Sequence, residues 1–187
     1  MTEGNSIGII GAGSWGTALA IVLNRTGANV TLWSRSESLT ATIHETRMNP
    51  RHLPDVFISP QVRVTSDIGE AAQADVLVLA IPAQAIRPVC ITLSDMIDTH
   101  VPLVVASKGI ERGSLMLMSE VLEVMLPSNP VVILSGPNFA REAAQGLPAA
   151  TVLASRHTAL MDRLQFTLGG KCFRPYATDD VVSVQIG

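Results

Sequence analysis

Short apolar runs alternate along this chain with longer stretches whose apolar residues recur at helical spacing. Ser6–Ile10, Asn29–Trp33, Val62–Thr65, Asp75–Ile81, Leu103–Ser107 and Val131–Ser135 read as strands. Helical periodicity falls on Trp15–Arg25, where Ala18, Leu19, Val22 and Leu23 share one face, then on Glu37–Arg47, Ile68–Ala72 and Leu115–Leu126. Pro50 and Pro54 mark a loop. Beyond these, Val152–Ala154 is expected to pair with Phe173 across a helix spanning His157–Leu168, and Val181–Gly187 is helix-compatible. Strands that are apolar at every position are buried on both faces, as in a parallel sheet covered by helices. Their regular alternation with helices predicts an α/β, doubly wound, mainly parallel sheet of the Rossmann type.

Composition narrows the classes further. Of 187 residues, 47% are hydrophobic and 16% charged, enough apolar surface to build a core and too much for a disordered chain. Length predicts one domain over residues 1–187 and a fragment of another, and because the apolar Val181–Gly187 stops without a cap or a polar tail, 181–187 is expected to start a connection to a further domain. Thirteen basic against sixteen acidic residues leave a formal charge of −3 with no basic block, so nucleic acid is not an expected partner. Two cysteines without metal spacing, and a start lacking a basic signal segment, predict a reducing, cytoplasmic setting. No run approaches the length of a membrane span. The four histidines are scattered, and no metal site is expected.

Chemistry concentrates after the strands. Gly11-Ala12-Gly13-Ser14-Trp15-Gly16 sits directly between the first strand and the first helix. In such a loop Gly11 permits the tight turn, Gly13 lets a pyrophosphate approach the backbone, and Gly16 allows close helix–strand packing. Amides at the helix start meet the phosphate charge. At the end of the second strand NAD-binding chains carry a carboxylate for the ribose hydroxyls. This chain has Trp33-Ser34-Arg35-Ser36, and Arg35 can pair with a 2′-phosphate, which favours NADP without removing NAD. Lys108 follows the strand Leu103–Ser107, where it can meet a phosphate or a carbonyl oxygen. Gly136 and Pro137 follow Val131–Ser135 and are expected to open a helix with free amides.

Taken together, Gly11–Ala20, Leu32–Arg35, Ser107–Glu111 and Ser135–Glu142 resemble NAD(P)-dependent glycerol-3-phosphate dehydrogenase, in order and spacing over nearly the whole chain. The resemblance implies hydride transfer between NAD(P)H and dihydroxyacetone phosphate, giving sn-glycerol 3-phosphate for glycerophospholipid synthesis. It assigns cofactor contacts to Ser14, Trp15, Arg35, Lys108 and Ala140, and substrate contacts to Lys108, Gly136 and Asn138. Asn138 departs from the family's serine or threonine, and Ala83 from its common serine. The family's catalytic lysine falls beyond Gly187, so no catalytic residue is expected within this chain. The expectation is an N-terminal, cofactor-binding part that turns over poorly alone, from an enzyme that can form a homodimer. Two other readings stay open: a related two-domain dehydrogenase acting on a hydroxy acid or ketopantoate, and a nucleotide-sensing module without turnover.

Overall fold

A computed structural model describes residues 6–186, so Met1–Asn5 and Gly187 lie outside the described residues. Among the described residues are ten strands and eight α-helices, beginning with β1 (Ser6–Ile10), α1 (Ser14–Arg25), β2 (Asn29–Trp33) and α2 (Glu37–Thr46). A short ribbon, β3 (Met48–Asn49) and β4 (Leu53–Phe57), precedes β5 (Arg63–Thr65), α3 (Ile68–Ala72) and β6 (Val76–Leu79). Then come α4 (Ile86–Leu93), β7 (Leu103–Val105), α5 (Met118–Met125), β8 (Val131–Ser135) and α6 (Ala140–Gln145). The chain continues through β9 (Ala149–Ala154), α7 (Met161–Leu168), β10 (Phe173–Thr178) and α8 (Val181–Ile186).

Eight strands form one sheet in the order β10-β9-β8-β7-β6-β1-β2-β5. Every neighbouring pair is parallel except β8 with β9. This is the doubly wound, Rossmann-type arrangement that the alternation predicts. From β1 the chain moves outward to β2 on one side, while β6 lies against β1 on the other. The crossovers therefore diverge between β1 and β6, opening a crevice at the carboxyl ends of the strands. Period-two alternation feeds both faces. Ile7 and Ile9 of β1 pack with α1, α6 and α7, whereas Ile10, Leu77 and Leu79 pack with α3, α4 and α5. Each such fully buried aliphatic side chain contributes roughly 1.5–3 kcal/mol relative to exposure.

Several expectations change at their edges. Helix α2 stops at Thr46 because Arg47 turns left-handed at φ 54°. The guanidinium of Arg47 donates to the carbonyls of Ile58 and Val62, at 3.1 and 2.9 Å, and to that of Ser59. The loop expected around Pro50 and Pro54 is instead the antiparallel ribbon β3–β4, with Met48 opposite Phe57. Asp75 stays outside β6 because its carboxylate accepts from both the amide and the hydroxyl of Ser6, at 2.8 and 2.6 Å.

Helix α4, absent from the expected elements, buries Ile86, Cys90 and Leu93 on one stripe. Its Pro88 falls in the first turn, where no intrahelical N–H is missed. Helix α5 begins at Met118, not Leu115, whose φ is 60°. Phe173 lies opposite Ala149, not opposite Val152–Ala154, because β9 starts earlier than its apolar core suggests. Within the predicted His157–Leu168 helix, only Met161–Leu168 is α-helical. Among the described residues no helix is long and apolar enough to cross a membrane.

Candidate functional site

The glycine loop forms the wall of the crevice between β1 and β6. Gly11 lies at φ 117°, a conformation that glycine alone adopts without strain, and its amide donates to the Trp33 carbonyl at 3.0 Å. A Cβ built on Gly16 would fall 1.9 Å from the Gly11 carbonyl oxygen, so the fold itself requires glycine there. Gly13 differs: a Cβ on it would meet nothing within 4 Å. No neighbour in the protein demands glycine at that point. The space before it, at the head of a twelve-residue helix with no side-chain cap and no acid in its first turn, fits an approaching phosphate.

One hollow, of about 330 Å³, lies between Gly11–Gly13, the end of β2 and the turn after β6. Arg35 lines it, exposed, with no carboxylate among the lining residues. The backbone curls sharply before Arg35: the Ser34 amide donates to Thr65, and the Ser36 amide donates to the Ser34 hydroxyl at 3.2 Å. Ser36 then caps α2 by accepting from the Leu39 amide. Arg51 and His52 line the same hollow. Sequence reasoning missed both, because a proline-bracketed stretch without periodicity carries no sign of where it folds back.

The ribbon reaches the crevice through Asn49, which is fully buried. Its amide donates to the Ala12 carbonyl at 2.9 Å and to the Thr17 hydroxyl at 2.8 Å, while its oxygen accepts from the His52 amide at 3.1 Å. The Ser14 hydroxyl adds a bond to the His52 carbonyl at 2.5 Å. An exposed ion pair between Arg141 and Asp55, at 3.1 Å, ties α6 to the ribbon and contributes little by itself.

A second hollow, of about 310 Å³, brings together Ser14, Trp15, Lys108, Gly136, Asn138 and Ala140. An apolar annex of about 290 Å³ shares Lys108 and Gly136 and adds Val152 and Val184. Of the residues singled out, Gly11, Gly13 and Arg35 therefore line the first hollow and Ser14, Trp15, Lys108, Gly136, Asn138 and Ala140 the second, while Gly16 packs behind the glycine loop. The turn after β8 departs from expectation. Gly136 and Pro137 do not open a helix: the Asn138 amide turns back to the Gly136 carbonyl at 2.9 Å, Phe139 is extended, and α6 starts at Ala140. That turn leaves the Asn138 Nδ2 buried without a hydrogen-bond partner in the protein. A buried donor of this kind is costly unless an acceptor reaches it.

Lys108 stands on a loop clamped from α4. Arg87 donates from Nε and Nη2 to the two Glu111 carboxylate oxygens, both at 2.8 Å, and the Ser114 hydroxyl donates to Glu111 at 2.6 Å. These bonds, the Arg87 one foremost, hold the Glu111 carboxyl down to about 2 from its usual value near 4.5. A depressed carboxylate contributes stability above its unfolded pKa and loses it as the pH falls through the folded one. The melting-temperature gap between the parent chain and Glu111→Gln is therefore expected to be constant above pH 4.5 and to close towards pH 2. Thermal melts across that window check it, and a gap indifferent to pH would remove the charge from the clamp's contribution.

The chain is similar to known proteins over nearly its whole length. Residues 6–161 match the family described as NAD-dependent glycerol-3-phosphate dehydrogenase N-terminus. A glycerol-3-phosphate dehydrogenase [NAD(P)+] of Rhodospirillum rubrum is 44% identical over 182 residues, which cover 97% of this chain and 52% of that protein. The Bradyrhizobium diazoefficiens protein of the same name is 46% identical over 188 residues, covering 100% and 57%. The chain spans about half the length of these curated relatives. Among solved structures, glycerol-3-phosphate dehydrogenase from Coxiella burnetii superposes with a TM-score of 0.91 at 33% identity, over 97% of this chain and 56% of that one.

Proposed function

Because this chain belongs to the NAD-dependent glycerol-3-phosphate dehydrogenase N-terminus family, we propose that it binds the nicotinamide cofactor for the interconversion of dihydroxyacetone phosphate and sn-glycerol 3-phosphate. In the reducing direction the ketone takes up a hydride at C2 and a proton at its oxygen, while NAD(P)H becomes NAD(P)+. The bound nicotinamide supplies the hydride.

The remaining work belongs to the protein. The uncapped first turn of α1 and the open face of Gly13 hold the pyrophosphate. Arg35 pairs with the 2′-phosphate of NADP, a contact that NAD lacks. Lys108, which makes no hydrogen bond or ion pair among the described residues, offers its ammonium to negative charge developing on the substrate oxygen or already present on its phosphate. Asn138 Nδ2 donates to the substrate and is thereby satisfied. The amide reaches farther than the hydroxyl usual at this position, and the turn at Gly136 makes room for it. No residue of this chain is assigned the proton donation.

The observation that carries this reading is the hollow in which Lys108, with no hydrogen bond or ion pair among the described residues, meets the orphaned Asn138 amide donor beside Ser14 and Trp15, the first residues of α1 after the open face of Gly13. Titration of the chain with NADPH and with NADH, followed by nicotinamide fluorescence, tests it. Saturable binding is expected, tighter for NADPH. Arg35→Ala should weaken NADPH by about ten- to a hundredfold, the usual range for one charge-assisted contact, and leave NADH nearly unchanged. A folded chain that binds neither would refute the assignment, and equal losses for both cofactors would remove Arg35 from the 2′-phosphate.

A further inference from the structure

The loops that follow β6 and β7 are stitched to each other around Lys108. Ser107, its neighbour, donates from its hydroxyl to the carbonyls of Leu79 and Ile81, at 3.1 and 2.5 Å. Gln84 reaches across with both ends of its amide, donating to the Ile110 carbonyl at 2.8 Å and accepting from the Arg112 amide at 2.9 Å. Arg87 then grips Glu111 through two parallel bonds, the geometry in which a guanidinium fixes direction as well as distance. Arg87 is itself held, with Met125 Sδ at 3.2 Å from Nη1 and Met116 Sδ at 3.7 Å from Nη2.

Glycine accounts for two of the left-handed turns in this loop but not for the third. Gly109, Gly113 and the non-glycine Leu115 all have positive φ, at 115°, 87° and 60°. Leu115 is also 72% exposed, so no packing of its side chain offsets the strained backbone. Strained positions persist where surrounding contacts over-determine them. Here the backbone bonds from the Leu115 amide to the Glu111 carbonyl, at 3.0 Å, and from the Glu111 amide to the Met116 carbonyl, at 2.9 Å, close the turn, and the Gln84 amide and the Arg87–Glu111 pair anchor it to α4 and the loop before it. Glu111 keeps only 14% of its side-chain surface exposed. A part-buried ion pair is a poor source of stability compared with apolar packing, and its better-attested use is to set register.

We propose that Glu111, gripped by Arg87, is a positioning residue that fixes the loop so that Lys108 meets the cofactor and substrate. Glu111 touches neither ligand; its effect passes through Lys108. A lysine side chain is long and flexible, so the place of its backbone determines how much of its reach is usable. The clamp holds that backbone facing Gly136 across the crevice, where the two residues share both the second hollow and the apolar annex.

This inference rests on the role given to Lys108 above, and the experiment separates the two. NADPH dissociation constants are measured on the full chain for the parent, Lys108→Ala, Glu111→Gln and the double variant, each with its melting temperature. Lys108→Ala is expected to weaken binding about tenfold, as loss of one charged contact does. Glu111→Gln should weaken it about three- to tenfold in the parent and leave it unchanged in the Lys108→Ala background, the non-additivity expected of residues acting as one unit. The reversed pair, Arg87→Glu with Glu111→Arg, should recover most of the affinity lost in Glu111→Gln.

An undiminished Glu111→Gln effect without Lys108 would overturn the proposal, because the clamp would then act on the fold at large. So would an unaltered affinity in Glu111→Gln while Lys108→Ala is weakened. If Lys108→Ala itself binds NADPH as the parent does, the role of Lys108 falls, and the positioning role falls with it.

Discussion

A Gly16→Ala chain is expected to lose both stability and cofactor binding, whereas Gly13→Ala loses binding alone. The methyl group at position 16 would lie 1.9 Å from the Gly11 carbonyl oxygen and 3.2 Å from the Ala80 Cβ. Both obstacles are fixed, one being backbone at the end of a central strand. Helix α1 must therefore back away from the sheet, at the upper end of overpacking costs, about 3 kcal/mol. For a chain of this size that corresponds to a melting point lower by roughly 6–12 °C. At position 13 the same methyl group meets open space. Gly13 is the N-cap of α1 with an ordinary φ of −72°, so the loss of a favoured cap residue and the lower unfolded-chain entropy of alanine roughly offset, and the fold changes by no more than about 1 kcal/mol, while the methyl group occupies the approach of the pyrophosphate. NADPH affinity should fall at least about tenfold, the equivalent of 1.4 kcal/mol. Thermal melts and fluorescence titrations on the two variants check the contrast. Retained affinity in Gly13→Ala would mean that no phosphate comes close to that backbone.

Asn49→Leu carries the second large effect. Leucine has as many side-chain heavy atoms as asparagine but strands the buried Ala12 carbonyl, takes the donor from the buried Thr17 hydroxyl and weakens the hold on the part-buried His52 amide. Each buried group left without its partner costs roughly 1–3 kcal/mol, so a loss of about 2–4 kcal/mol is expected. Binding should suffer as well, because Asn49 keeps Arg51 and His52 beside the glycine loop. Chemical denaturation together with NADPH titration measures both. Arg141→Ala serves as the contrast: it breaks an exposed pair to the same ribbon and should shift stability by no more than about 1 kcal/mol. Were the two variants equally stable, the ribbon would not be latched through Asn49.

The strands were legible where an apolar run ended in a turn signal, and β1, β2 and β8 agree with expectation residue for residue. Helix α4 was hidden because Pro88 reads as a breaker until its place in a first turn is known. The ribbon was hidden because two prolines within five residues read as loop, and only the partner strand shows that Pro54 sits where it can be tolerated. The opening of a helix at Gly136-Pro137 was misread for a related reason. A proline suits a helix start, but the bond from the Asn138 amide to the Gly136 carbonyl spends those residues on a tighter turn.

What the sequence by itself determined is local: the periods that distinguish strand from helix, and a glycine spacing that gains its meaning from the strand before it and the helix after it. Backbone sterics and side-chain direction act over a few residues, so they can be read without the fold. What only the tertiary structure decided is the company each residue keeps. Asn49 bonds Ala12, Arg87 grips Glu111, and Lys108 faces Gly136 because the winding of the sheet brings the carboxyl ends of β1, β6, β7 and β8 to one edge. These pairings span some 24 to 37 positions along the chain. No short-range rule reaches that far; burial of two apolar layers against one twisted sheet sets them all at once.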